Sequence, residues 1–390
     1  MGVSAAGVGR SVRVRSAEEA AAALRAANTD SGTVCPVGGG THQFLTDLPT
    51  NGTTFLHLAD LDDLVDYQPA DLTVTVQPGM SLARLQHTVD EKKQWVALEA
   101  ADPERATIGG ILATAWAGPL RLGYGRPRDQ VLGMRFVTGD GVPAKAGGRV
   151  VKNVAGYDLC RLLVGSHGTL AVITEVTLRV RPRPEREETV VARFDGVEEA
   201  VHAAEAVWQT RWAPTMLTLQ NEQRAARLFV GSDGDSDSVA AQSAAIAELL
   251  RARGAQPQVL REDRWHEAPP RQALRAAAVP ESGHGLRVSL LPSDLGALLT
   301  TVGSESQSAV AHYASGIAHL RFAPGAAAAM NAVRRFALAH GGAAVLEGPS
   351  VDGFSRWGPR RPDYALMQRL KTAFDPRGVL PPLPFGDEAA

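Results

Sequence analysis

The sequence predicts an α+β fold in two parts, an expectation that rests on three observations. Up to about residue 185, short strands and helices follow one another around a glycine cluster, Gly38-Gly39-Gly40. A proline pair, Pro182 and Pro184, then breaks the chain, because a proline restricts the residue before it and cannot donate to a sheet. Beyond that break the element order is repeated, which marks a duplicated unit.

In the first part, SAEEAAAALRAA from Ser16 to Ala27 has a serine cap, a glutamate three positions later and a run of helix formers, the signature of a capped helix. It leads into a strand, Thr33 to Val37, that ends on the glycine cluster, and further strands are expected near Thr54 to Leu58 and Leu72 to Val76. Ser81 to Lys92 reads as helix, and Ile108 to Ala117 is small and apolar. TLAVITEVTLRV, Thr169 to Val180, alternates as a long half-buried strand.

In the second part the first copy reads strand Glu188 to Phe194, helix Val197 to Thr210, strands Met216 to Gln220 and Ala226 to Val230, helix Ser238 to Arg253, strand Gln256 to Leu260. The second copy reads strand Leu286 to Leu291, helix Ser293 to Val302, strands Ala309 to Tyr313 and Ile317 to Phe322, helix Gly325 to His340, strand Ala343 to Glu347. Each is βαββαβ, the ferredoxin-like split unit, and two such units can share one antiparallel sheet with helices on one face. The Pro-rich remainder holds one helix around Tyr364 to Ala373. The expected division is therefore 1–185, 186–347 and 348–390.

A length of 390 residues suits two cores, and 44% hydrophobic with 21% charged residues is the balance of a globular chain. The net charge of −2, with no dense Lys/Arg stripe, gives no electrostatic reason to expect nucleic acid. Cys35 and Cys160 lie far apart, without the clustered spacing of zinc or iron–sulfur ligands, so iron–sulfur chemistry is expected on another chain. No run of about 18 apolar residues and no apolar leader is present, so neither a transmembrane segment nor export is expected, and Asn51-Gly52-Thr53 reads as a turn. Asp233, Asp235 and Asp237 imitate the start of a calcium loop, but Ser238 and Ala244 stand where glycine and glutamate are needed.

Three glycine-centred stretches carry the chemistry. VGGGTH, Val37 to His42, ends a strand, where bare backbone lets N–H groups converge on an anion such as a pyrophosphate. It lacks the third glycine of a dinucleotide fingerprint and has no Walker lysine. ATIGGILATAWAGPLRLGYGRPRDQVLG, Ala106 to Gly133, has small residues that let backbone press on a flat ring system. GGRVVKNVAGYDLCRLLVGSHGTLAVITEVTLRVRP, Gly147 to Pro182, bends at Gly156, Gly165 and Gly168 before the long strand.

In this order and spacing the three stretches resemble the FAD-binding half of the vanillyl-alcohol-oxidase family, the PCMH-type fold, over about Val12 to Pro184. KNVAGYDL and GSHGTLAVITEV are similar to its 2-hydroxy-acid dehydrogenase branch, and the likeness runs to the smaller of the flavin-binding chains of bacterial glycolate oxidases. LMQRLKTAFDPRGVLPPLPF resembles the family's closing KxxFDPxGxxNPG segment, with Pro381 and Pro382 in place of its Asn-Pro-Gly turn. The resemblance implies a PCMH-type two-part FAD domain, a ferredoxin-like cap and a C-terminal segment that returns to the FAD domain.

Carried over, it assigns Val37, Gly38, Gly39, Gly40, Thr41, His42, Pro78 and Gly79 to the pyrophosphate loops. Thr107, Ile108, Gly109, Gly110 and Gly118 go to the pyrophosphate and flavin side, and Gly156, Gly168 and Ile173 to the adenosine or flavin. Relatives that tether flavin place a histidine where Thr41 stands, so the FAD is expected to be noncovalent.

The resembled catalytic dehydrogenases carry an HxGDGNxH hairpin and a Glu-His-Gly that supply metal ligands and the base. Here His312 and His319 keep the spacing and Glu347 the carboxylate, but Gly348 stands in place of the histidine, and Ser315 and Ile317 replace the hairpin Asp and Asn. The expectation is therefore no metal and no assigned catalytic residue. Arg121, Tyr124, Arg126 and Arg128 are candidates for a substrate carboxylate, and His319 and Arg321 share a strand face. The implied role is an FAD-carrying subunit of a glycolate- or D-lactate-type 2-hydroxy-acid dehydrogenase or oxidase complex. A larger catalytic flavoprotein and an iron–sulfur subunit would be its partners, in the cytoplasm and at the inner membrane only through them. A stand-alone FAD-dependent alcohol oxidase and a flavin-stabilised structural subunit are the alternatives.

Overall fold

A computed structural model describes residues 9–41, 52–148, 157–222, 225–261, 269–278, 284–301 and 305–385. The backbone divides into two compact units. One comprises Met1–Trp116, Arg126–Pro182 and Pro359–Ala390; the other comprises Ala117–Gly125 and Arg183–Gly358.

In the first unit, strands Arg10–Arg13, Thr53–His57 and Thr33–Val37 form a parallel sheet with Thr53–His57 in the middle. Helix Ala17–Asp30 covers it. Its buried residues, Ala20, Ala21, Leu24 and Ala27, recur at the helical period and pack with Leu56, Leu58 and Val172. Ser16 caps the helix by accepting the Glu19 N–H at 3.1 Å, and the Glu19 carboxylate reaches back to the N–H of Arg15 at 2.7 Å.

A second, antiparallel sheet runs Leu64–Gln68, Thr73–Val76, Ala171–Arg179, Val131–Thr138, Pro143–Gly147. Its centre is the long alternating strand read from the sequence. Helix Leu82–Asp90, capped by Ser81, buries Leu82, Leu85 and Val89 in that sheet's core; full burial of one such leucine stabilises by about 1.5–3 kcal/mol. The small apolar stretch after Thr107 is a short helix, Ile108–Thr114, that stops where Ala115 turns left-handed (φ 51°).

The second unit is the duplicated one. Its eight-stranded sheet runs Gln258–Arg261, Arg186–Phe194, Ala225–Gly234, Met216–Glu222, Ser308–His312, Ile317–Phe322, His284–Ser289, Ala343–Glu347, every neighbouring pair antiparallel. Each βαββαβ copy has the split-unit strand order, and the copies meet where Leu219 pairs with Ala311. Helices Val197–Trp208, Ser236–Arg251, Pro292–Thr301 and Ala327–Ala339 bury one face.

The opposite face carries one helix that the repeat pattern does not announce. This is Pro269–Ala278, whose Leu274 packs on Met216, Phe229 and Val310. The calcium-like aspartates separate into different roles: Asp235 caps helix Ser236–Arg251, while Asp233 is held inside the fold. No helix among the described residues is long and apolar enough to cross a membrane.

Candidate functional site

The first unit contains a cavity of about 490 Å³, within the range of roughly 300–1,000 Å³ usual for ligand pockets. Strand Thr33–Val37 delivers the glycine cluster to its wall. Val37 accepts the N–H of Leu58 at 2.8 Å, and Val34 donates to the carbonyl of Val379 at 2.7 Å, so the strand is held on both sides. Gly39 passes so close to the turn before helix Ile108–Thr114 that a Cβ there would lie 1.6 Å from the Arg105 carbonyl oxygen. Only glycine permits that approach.

Of the residues proposed from sequence, Val37, Gly38, Gly39, Gly40, Thr41, Pro78, Thr107, Gly109, Gly110, Gly168 and Ile173 line this one cavity. Gly79 and Ile108 lie behind its wall. The Gly79 N–H binds the Leu61 carbonyl at 2.8 Å, and Ile108 is fully buried in the core. Gly118 falls in the second unit, and His42 and Gly156 lie outside the described residues. Sequence reasoning missed the apolar wall of Cys35, Phe55, Leu58 and Ala171, and also Thr114, Ser166 and His167. The apolar positions look like ordinary core in a sequence; Ser166 and His167 sit inside the GSHGT turn, between two glycines.

The lining is chemically divided. Glycine backbone and the hydroxyls of Thr41, Thr107, Thr114 and Ser166 offer hydrogen bonds, while Pro36, Phe55, Leu58, Ala171 and Ile173 offer apolar surface. No lysine or arginine is among these lining residues. Such a surface fits a dinucleotide with a diphosphate and a planar ring, to which the described residues offer backbone N–H groups, hydroxyls and apolar wall. Burial pushes the Cys35 thiol up to about 12, which keeps it protonated and a poor nucleophile.

The arginine and histidine candidates are placed elsewhere. Arg126 and Arg128 flank Asp129, each at 3.8 Å. In the second unit Tyr124 donates to Asp233, which also accepts from Thr215 at 2.7 Å; burial raises the Asp233 carboxyl against the pull of these bonds and of Arg271. Arg321 donates to the Ala276 carbonyl at 3.0 Å.

His312 and His319 are both buried, their rings edge to face at 5.9 Å. Nδ1 of His312 meets the Thr218 hydroxyl at 3.1 Å, and Nδ1 of His319 meets Glu347 at 2.9 Å, with Arg287 3.8 Å from the same carboxylate. Burial, then unfavourable electrostatic interaction with His319 and Arg121, push His312 down to about 3, so it is neutral at physiological pH. Among the described residues no three His, Cys, Asp or Glu side chains are grouped to hold a metal ion.

Residues 10–147 match the sequence profile of the FAD binding domain designated FAD_binding_4. The chain is 41% identical over 152 residues to glycolate oxidase subunit GlcE of Escherichia coli (strain K12), which is 39% of this chain and 43% of that one. It is 32% identical over 184 residues to glycolate oxidase subunit GlcD of Bacillus subtilis (strain 168), 47% of this chain and 39% of that one. It is also 33% identical over 190 residues to the mitochondrial D-lactate dehydrogenase [cytochrome] of Arabidopsis thaliana, 49% of this chain and 33% of that one. The chain thus spans less than half the length of these curated relatives. A solved alkyldihydroxyacetonephosphate synthase shares the fold at a TM-score of 0.73 and 17% identity, over 95% of this chain and 75% of the synthase. The matched segment is the one that supplies the glycine cluster and most of the cavity wall, and the chain accordingly carries an FAD-binding domain of the PCMH type.

Proposed function

We propose that the chain is the FAD-carrying subunit of a 2-hydroxy-acid dehydrogenase or oxidase complex of the glycolate or D-lactate type, working in the cytoplasm. The observation that carries this reading is the pairing of a glycine-lined cavity in an FAD-binding domain with the absence of the histidine that would follow Glu347. Similarity to a named glycolate oxidase subunit supports the substrate class. A larger catalytic flavoprotein and an iron–sulfur chain would complete the path, since neither cysteine of this chain is placed to hold a cluster.

When bound, FAD supplies a two-electron acceptor. The protein's own contribution is binding and exclusion of water. Backbone N–H groups of Gly38 to Gly40, the hydroxyls of Thr41 and Thr107 and the loop at Pro78 would receive the diphosphate, while Gly109 and Gly110 would take the ring system and Gly168 and Ile173 the adenosine or flavin. Thr41, which stands where tethering relatives place a histidine, has no ring nitrogen or thiol, and the Cys35 thiol stays neutral, which supports a noncovalently held cofactor.

Anaerobic mixing of the flavin-loaded chain with glycolate and D-lactate tests the role. The expected result is slow or no bleaching by the chain alone and rapid bleaching once the larger flavoprotein is added. Rapid bleaching by the isolated chain would make it a self-sufficient oxidase; no bleaching with the partner present would leave it a structural subunit.

A further inference from the structure

His167 stands in a conformation that side chains rarely adopt. Its φ is +54°, and it is flanked at short range by Gly165 at +86° and Gly168 at +71°. The turn is fixed by the Gly165 N–H on the Leu112 carbonyl at 2.9 Å and the His167 N–H on the Ala113 carbonyl at 2.8 Å. A left-handed backbone costs a residue with a Cβ roughly 1–2 kcal/mol, and glycine at this position would avoid that cost. Strain of this kind points to a role for the side chain.

The cavity supplies the role. His167 lines it, and of the described lining residues only His167 and Cys35 titrate. A diphosphate carries two negative charges, and His167 aside the described residues of this wall meet them with neutral groups. We propose that the His167 imidazolium is a pH-dependent contact to the cofactor's diphosphate, so that the chain grips FAD more tightly in its protonated form. The inference rests on FAD occupying this cavity.

The neighbouring charges leave His167 as the group that changes. Helix Ile108–Thr114 bears no titratable side chain. Cys35 on the adjoining strand stays neutral, and on helix Leu159–Leu163 the thiol of Cys160 is pushed up to about 11 while Arg161 pairs with Asp158 at 2.9 Å. On strand Ala171–Arg179, which ends in Arg179, Glu175 pairs with Arg135 at 3.2 Å. Lys371, which binds the Thr169 carbonyl, is engaged with Asp375.

A histidine that gains an anionic partner has its pKa raised, so affinity grows as pH falls through the bound-state pKa and levels off below the free value of about 6.5. The test follows release of fluorescent FAD on dilution of the holoprotein between about pH 5.5 and 8.5, for the wild type, His167→Asn and His167→Lys. Asparagine tolerates the left-handed backbone, so the turn is kept. The expected result is a dissociation constant about tenfold lower at the acid end for the wild type, the increment of a one-unit pKa shift. The H167N profile should be flat at the weaker level, and the H167K profile flat at the tighter one. A flat wild-type profile, or a slope retained in H167N, overturns the assignment. A wild-type protein that retains no FAD at any of these pH values removes the FAD occupancy itself, and the inference with it.

Discussion

Gly39→Ala is expected to empty the chain of flavin. The added methyl would sit 1.6 Å from the Arg105 carbonyl oxygen and 2.7 Å from its carbon, where real Cβ contacts do not fall below 3.0 Å. Both partners are backbone, so neither can swing aside, and the loop must withdraw by more than an ångström. That moves the N–H groups of Gly38 to Gly40 away from the diphosphate. Hydrogen bonds to charged groups contribute about 1.5–3 kcal/mol each, so losing two of them weakens FAD by at least about a hundredfold. Overpacking adds about 1–3 kcal/mol of destabilisation. The ratio of flavin to protein absorbance after gel filtration reads the result. Gly32→Ala is the control, because nothing lies within 4 Å of its added methyl, and it should keep both its flavin and its stability.

Asp375→Asn is expected to destabilise the first unit by about 3–5 kcal/mol, the usual cost of breaking a buried ion pair from one side. The Asp375 side chain is fully buried. Its Oδ1 accepts the Val379 N–H at 2.9 Å, and its Oδ2 accepts the Leu380 N–H at 2.8 Å and the Lys371 ammonium at 2.5 Å. An amide offers one oxygen, so its NH2 must face a donor. Burial already lowers the Lys371 pKa, and Asp375 is what offsets it. The damage should reach the cofactor: Val379 holds Val34 on the strand that ends in the glycine cluster, and Lys371 holds Thr169 beside the His167 turn. The midpoint of flavin release in a urea titration should therefore fall together with the unfolding midpoint of this unit. Unchanged midpoints would show that the closing FDPRG turn does not support the cavity.

The parts of the fold legible in the sequence are those where local signals and packing agree. The Ser16 cap is visible as a local hydrogen-bonding motif, and both βαββαβ copies by their apolar periodicity. The strand before Pro182 is a strand as read, but it is buried on both faces and not half-buried, because it is central in its sheet and both faces are covered. Strand Arg10–Arg13 is not legible, since RSVR is mostly exposed and pairs on one side only. Strand Val131–Thr138 is hidden by Gly133 and by its place next to a glycine-rich stretch. Helix Pro269–Ala278 depends on an apolar patch formed by Met216, Phe229 and Val310, residues far apart in sequence.

The site divides in the same way. Glycines that line the cavity announce themselves, whereas an apolar wall such as Phe55 or Ala171 reads as core. Motif spacing does not say which compact unit a residue joins, and Gly118 belongs to the second unit. His167 is readable as a bulky residue two positions after one left-handed glycine and one before another; what it faces requires coordinates.

The visible absorption spectrum of the purified chain, followed by acid precipitation, tests the central claim most directly. A flavin spectrum on the native protein and yellow colour entirely in the acid supernatant are expected, since backbone, hydroxyls and apolar walls hold FAD without a covalent bond. A protein that stays colourless after flavin supplementation, or a pellet that keeps the colour, would contradict it.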